Sequence, residues 1–324
     1  MIKGLDIFCG AGGSSAGARA AGIEMRAAID MDAVATRTYQ DNFEGAHVVT
    51  SRLEEISLSG LKQHIGQIDL LLASPECTNH TCAKGSAPRS EASRATAMTV
   101  VEYARTFRPR WLVLENVVHM RPWSRYGELK RELELLGYNI GEQILNSKDY
   151  GVAQSRRRLF IVGDLAQEPK MVSHRRRGRK RSAASILDPD GCWPTTPLRK
   201  PGRATDTLAR ADRAVAALGE NTPYLIVYYG TDGSGGWQPL ARPLRTVTTV
   251  DRFALVTPTD EGPRMRMLQV SELRRAMGFA PSYLFQNGTR RDRIRLLGNG
   301  VCPPVMETVI RTLIDGQGQA SSAS

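Results

Sequence analysis

Leu5-Asp6-Ile7-Phe8-Cys9-Gly10-Ala11-Gly12-Gly13-Ser14-Ser15-Ala16-Gly17 reads as an apolar strand that runs into a glycine-rich turn and then into a short helix of small residues. Glycines at such a turn let the backbone approach a ligand closely, and the helix start offers free N–H groups. The next apolar strand, Met25–Ile29, ends at Asp30, where a carboxylate can accept from ribose hydroxyls. The turn is not the dinucleotide G-x-G-x-x-G, because Ser15 takes the third glycine's place. Turn and acid together favour an adenosine-containing cofactor. A nicotinamide dinucleotide is the competing reading, and the missing glycine counts against it.

Outward from this turn the chain alternates between two periodicities. Strand patterns fall at Ile2–Phe8, Met25–Ile29, Ala46–Val49, Ile68–Leu72, Trp111–Leu114, Ile140–Leu145 and Leu159–Val162. Helical patterns fall between them at Ser15–Ala21, Ala33–Asn42, Glu91–Phe107 and Tyr126–Leu136, the last stopped by Gly137. Such alternation predicts an α/β fold, a mostly parallel sheet with helices on both faces, over residues 1–163. From 164 to 262 the chain is rich in Pro, Gly, Arg and Thr, with short β-like pieces at Leu225–Tyr229 and Leu244–Thr249. This stretch reads as a small, irregular, basic domain. Helical pattern returns at Ser271–Met277 and Pro304–Ile314, so 263–324 reads as a segment that returns to the first domain.

Five cysteines in 324 residues, unevenly spaced, do not make a disulfide framework, and no apolar run reaches membrane-spanning length. A cytoplasmic protein with no membrane contact is expected, and a monomer. The net charge of +11 points to a polyanionic partner. The charge is concentrated in His174-Arg175-Arg176-Arg177-Gly178-Arg179-Lys180-Arg181 and again at Arg290, Arg291, Arg293 and Arg295. With few aromatics to stack on bases, these runs favour duplex phosphates over a single strand.

Chemistry gathers at two strand ends. Ile68-Asp69-Leu70-Leu71-Leu72-Ala73-Ser74-Pro75-Glu76-Cys77 carries a thiol to the carboxyl end of a buried strand, where open α/β sheets hold their ligands. An inert buried cysteine is the competing reading. Cys77-x-x-His80-x-Cys82 raises a zinc site but lacks a fourth ligand, so no metal is expected. Trp111-Leu112-Val113-Leu114 ends in Glu115-Asn116-Val117, and burial there should raise the Glu115 pKa until it serves as an acid near neutrality. Gln154-Ser155-Arg156-Arg157-Arg158 precedes the last strand, with Arg156 and Arg158 on one face, able to hold a phosphate or a substrate base.

In this order the motifs resemble the DNA cytosine-5 methyltransferases across nearly the whole chain. Asp6–Gly13 is similar to that family's first cofactor motif, and Asp30 to its ribose-binding acid. Cys77 falls at its catalytic cysteine, Glu115-Asn116-Val117 at its E-N-V motif, and Gln154, Arg156 and Arg158 at its Q-x-R-x-R motif. Gly298-Asn299-Gly300-Val301-Cys302-Pro303-Pro304 resembles its closing G-N-x-V-x-P-P motif. Arg266 through Phe279, with Glu272 and Gly278-Phe279, resembles the motif that supports the recognition domain.

The resemblance implies a Rossmann-like fold that binds S-adenosylmethionine, with a target-recognition domain at 164–262. It implies attack by Cys77 on carbon 6 of a cytosine flipped out of duplex DNA, helped by Glu115, with Arg156 and Arg158 steadying the nucleotide. Cofactor contacts are expected from Asp6, Phe8, Gly10, Gly12, Gly13, Asp30, Met31, Pro75, Asn299 and Val301. DNA contacts are expected from Asn116, Gln154, Arg175, Arg176, Arg179, Arg245 and Arg252. A cognate restriction endonuclease is a further expected counterpart. The chain departs from the family in two places. Glu76 and Thr78 flank the thiol where the family has proline and glutamine, and Thr50-Ser51-Arg52 stands where an acid usually meets the adenine. A tRNA-type cytosine-5 methyltransferase and a catalytically silent DNA-binding protein are the alternatives.

Overall fold

The computed structural model describes residues 1–75, 96–173, 181–230 and 235–315. The first half builds a sheet from β1 (Lys3–Ile7), β2 (Glu24–Asp30), β3 (His47–Thr50), β4 (Leu70–Ala73), β5 (Trp111–Asn116), β6 (Asn139–Asn146) and β7 (Arg157–Asp164). Its order is β3-β2-β1-β4-β5-β7-β6. The pairs among β1 to β5 are parallel, while β7 runs antiparallel to both β5 and β6. Strand order reverses between β1 and β4, and a crevice opens there beyond the strand ends, which is the ligand position of open α/β sheets.

Period-two alternation fixes both faces of this sheet. Leu70 and Leu72 point into one apolar layer, and Leu71 and Ala73 into the other. Helices α1 (Gly13–Ala20), α2 (Ala33–Gln40), α3 (Leu58–Ile65), α4 (Thr99–Phe107) and α5 (Tyr126–Leu135) cover them. All six residues of β5 are buried, which its apolar run predicts, but burial also takes in Glu115 and Asn116.

The region after 164 is not irregular. It contains an antiparallel sheet in the order β10-β9-β11-β12-β8, made of β8 (Thr196–Pro197), β9 (Tyr224–Val227), β10 (Trp237–Pro239), β11 (Phe253–Thr257) and β12 (Arg264–Met267). Helix α6 (Thr205–Leu218) packs Ala211 and Ala214 on Tyr224, Ile226, Ala254 and Val256. The opposite face, with Leu225, Val227, Phe253 and Leu255, merges into the main core. The sheet runs on to Met267, past the boundary expected at 262. The stretch Leu244–Thr249, expected as a strand, makes one isolated parallel bridge from Leu244 to Gln154 and no ladder.

The last three helices are α7 (Val270–Ala276), α8 (Arg290–Asn299) and α9 (Pro303–Ile314). Two prolines open α9, where their missing N–H groups have no intrahelical partner to lose. The last helices pack on the first half of the chain, and they do so against glycine. A Cβ on Gly13 would lie 2.3 Å from Val301 O, and one on Gly17 would lie 2.6 Å from Pro303 O.

Candidate active site

The crevice at the reversal of strand order is a cavity of about 460 Å³. Three walls enclose it: the β1–α1 turn, the ends of β2 and β3, and the α8–α9 junction, with Glu115 and Arg158 at the β5–β7 end. Of the expected cofactor residues, Phe8, Gly10, Gly13, Asp30, Met31, Pro75, Asn299 and Val301 line it.

The turn itself is shaped by left-handed backbone. Phe8 has φ of 60° and Gly10 has 51°, so the chain turns sharply off β1 here. Gly10 N donates to Asp30 Oδ2 at 2.8 Å, and Asp32 N donates to Asp30 Oδ1 at 2.9 Å. Burial raises the Asp30 pKa, and these two N–H bonds work against that rise. Met31 stands at the rim with 64% of its surface exposed.

Two expected cofactor residues face elsewhere. Asp6 is fully buried beneath the turn and accepts from Ser15 Oγ at 2.6 Å, while Tyr39 Oη donates to Ser15 Oγ at 2.8 Å. Burial pushes the Asp6 carboxyl up to about 7. Gly12 has φ of 81°, and its face is closed by Tyr283, Phe43 and Tyr39. Asp6 shapes the turn from behind because the strand pleat turns it into the core, while Gly12, the N-cap of α1, is backed by that aromatic cluster.

At the other end Glu115 is 5% exposed, and its Oε1 stands 3.2 Å from Arg158 Nε. The angle is not that of a hydrogen bond, so this oxygen has ion-pair attraction without a donor aimed at it. Burial raises the Glu115 pKa, offset in part by Arg158 and then Arg156. Asn116 Nδ2 donates to Pro75 O at 3.1 Å, tying the acid's strand end to the chain just before Cys77. Cys77, Arg175, Arg176 and Arg179 lie outside the described residues, as do Glu76, Thr78, His80 and Cys82.

Several residues expected on substrate are committed to the fold instead. Gln154 is fully buried; its Nε2 donates to Ala276 O at 3.1 Å and its Oε1 accepts from Val247 N at 2.8 Å. Such a side chain cannot reach DNA. Asn116, 1% exposed, likewise serves the strand end. Arg156 lines the cavity, yet its Nη1 donates to Val247 O at 3.0 Å and its Nη2 to Gly298 O and Gly300 O at 2.8 and 2.9 Å. It bolts the 244–250 segment and the closing motif together. Arg245 Nη2 donates to Trp237 O, and Arg252 Nη1 to Tyr228 O. Sequence patterning finds these residues but cannot tell a ligand-facing guanidinium from one that clamps carbonyls.

The cavity also has walls outside the expected cofactor residues, some of them, such as Leu53, Glu54 and Asp32, not singled out by the sequence. Ser51, Arg52, Leu53 and Glu54 follow β3 and close one end, and Thr249, Asp32 and Arg295 close another. Ser14 and Ser74 hydroxyls meet at 3.2 Å across the β1 and β4 ends. The only sequence signal for Asp32 is its N-cap position ahead of α2, where it accepts from Val34 N at 2.9 Å.

A family model described as C-5 cytosine-specific DNA methylase matches residues 2–315. Type II methyltransferase M.FnuDI of Fusobacterium nucleatum is 25% identical over 328 residues, covering 93% of this chain and 90% of that one. Type II methyltransferase M.DdeI of Desulfomicrobium norvegicum is 30% identical over 171 residues, covering 51% of this chain and 41% of its own. The chain thus spans about two fifths of the length of M.DdeI and of M.AgeI from Thalassovita gelatinovora. Among solved structures, a Spodoptera frugiperda DNMT2 mutant superposes with TM-score 0.71 at 16% identity, covering 97% of this chain and 100% of its own. Schizosaccharomyces pombe Dnmt2 does so with TM-score 0.70 at 17% identity, over 98% of this chain and all of its own. These last likenesses carry the fold.

Proposed function

The chain belongs to the C-5 cytosine-specific DNA methylase family, and from that premise we propose that it methylates carbon 5 of a flipped-out cytosine within a specific duplex DNA sequence. The observation that carries this reading is the pairing of two strand ends on one cavity. Glu115, an acid raised by burial, closes the cavity wall beside the chain that leads from Pro75 into Cys77.

S-adenosylmethionine is the methyl donor of the reading, and the residues present fit it. Gly10 opens into space with no heavy atom within 4 Å of where a Cβ would stand, so a ligand can approach the backbone there. Asp30, held by two N–H groups, keeps lone pairs for ribose hydroxyls, and Met31 offers an apolar rim for a purine. When bound, the donor supplies an electrophilic methyl group.

The chain's own groups do the rest. The Cys77 thiolate adds to carbon 6, forming a C–S bond and moving electron density to carbon 5. Glu115 in its protonated form holds a proton at ring nitrogen 3, which neutralises the charge pushed onto the ring. Arg158, 3.2 Å from Glu115, attracts that carboxyl electrostatically. After methylation, loss of the carbon-5 proton re-forms the ring double bond and releases Cys77. The target base must leave the stack for any of this to occur. The names of the type II relatives favour a counterpart endonuclease that reads the same sequence. Among the described residues no helix is long and apolar enough to cross a membrane.

Incubation with labelled S-adenosylmethionine and mixed-sequence DNA, followed by base-resolution mapping, tests the reading. Label at carbon 5 of cytosine in one sequence context is expected, as is a covalent complex with 5-fluorocytosine DNA. Cys77→Ser should lower the rate by about 10³-fold or more. Full activity in Cys77→Ser, or no label in any cytosine, overturns it. Label in tRNA but not in duplex DNA reassigns the substrate.

A further inference from the structure

The rim of the cavity carries a polar chain that the reaction itself does not use. Asp32, the N-cap of α2, accepts from Val34 N with Oδ1 and binds the Arg295 guanidinium of α8 with Oδ2. Its own backbone N–H donates to Asp30 Oδ1 at 2.9 Å. Arg295 also stands 3.5 Å from Asp292, the acid of the Thr289 capping box that starts α8. Two helix starts, far apart in sequence, are thus joined through one guanidinium beside the cofactor acid.

We infer that Arg295 is a positioning residue for the cofactor: by anchoring Asp32, whose backbone N–H donates to Asp30 Oδ1, it fixes the Asp30 carboxylate where ribose would meet it. This rests on the reading that Asp30 binds the ribose of an adenosine cofactor.

Charges of both signs act on Asp30, and Arg295 is the cation among them. Asp32 from the α2 cap disfavours a negative charge on Asp30, and Asp30 in turn disfavours ionisation of Asp6 from β1 and Cys9 from the turn. Arg52 and Glu54 stand on the wall beyond β3, one of each sign. Burial is the largest influence and also favours the neutral acid. Against these stand the two N–H groups and Arg295. Arg295 is the only one of these three held by side chains alone, so it is the one that substitution can remove. Asp32, meanwhile, is pushed up by burial but held below the usual carboxylate range by Arg295 and the α2 N–H groups, so it remains a charged anchor.

The test is calorimetric titration of the full-length protein with S-adenosylhomocysteine from pH 5 to 9, without DNA or turnover. In the wild type, affinity should fall on the acid side as Asp30 takes up a proton. Arg295→Met should move the half-point of that fall upward by about one pH unit while its affinity converges with the wild type above pH 8. Arg295→Lys should restore the wild-type profile. Arg295→Gln, which keeps a donor without charge, should follow Met, and melting curves of both show whether the fold is kept. Equal loss of affinity at every pH, or an unmoved half-point in Met and Gln alike, overturns the inference. No binding by the wild type at any pH overturns the function reading instead, and this inference with it.

Discussion

The seven-stranded and five-stranded sheets treat their polar side chains differently. At one edge of the first, Asp30 and Glu115 at strand carboxyl ends and Arg158 at the start of the antiparallel β7 converge on one cavity. In and beside the second, Arg245 and Arg252 point back onto the carbonyls of Trp237 and Tyr228. A parallel sheet leaves its strand ends open at the switch point, so polar residues there meet ligand. A small antiparallel sheet has short ladders and many loop carbonyls, and its arginines satisfy them. The joint between the two is where the distinction is sharpest. Gln154 and Arg156 sit in the catalytic half yet act as clamps on the other half.

Base recognition by the basic run against clamping by the sheet arginines gives one way to break this comparison. Arg156→Met removes the bonds to three carbonyls of the joint, and about 4 kcal/mol of stability should go with them, read from denaturant midpoints. An unchanged midpoint would mean the guanidinium serves substrate alone. Gly298→Ala drives a Cβ to 2.3 Å from Thr248 O, so a loss of about 3 kcal/mol is expected from thermal melts.

Asp6 tests the turn side of the comparison through pH. Its folded-state pKa, about 7, lies above the unfolded value, so the folded state holds the proton more tightly and stability is greatest in acid and falls as pH rises through 7. Asp6→Asn should therefore gain on the wild type by roughly 2–3 kcal/mol more at pH 8 than at pH 5. An equal difference at both pH values would show that the carboxyl is not the source. Replacing Arg175, Arg176 and Arg179 with Gln should reduce the salt slope of DNA binding by about 3. Arg245→Gln or Arg252→Gln should weaken DNA binding by less than about threefold, since both guanidinia already serve backbone carbonyls. A larger loss in either would make it a DNA contact and erase the contrast.

Much of the first half was legible because its signal is local. The apolar runs at Ile2–Phe8 and Trp111–Leu114 mark β1 and β5 to within two residues, and the glycine turn marks the cavity wall. Helix α3 and helix α8 were not anticipated: α3 is short, and α8 reads as a charge run because its first turn faces solvent. Helix α6 hides in Thr-Asp-Thr-Leu-Ala-Arg-Ala-Asp-Arg, where alanine rather than leucine makes the buried stripe.

The sequence by itself determined the strand–turn–helix order, the acids at strand ends, and the basic character that suits a polyanion. Those properties depend on periodicity and residue type, which a linear chain carries. Only the tertiary structure decided which polar residues face the cavity and which hold the backbone. Gln154 and Asp30 look alike as polar residues at element ends, but one meets Val247 and Ala276 while the other meets open space. That choice is made by partners nearly a hundred residues away or more, whose approach only folding brings about.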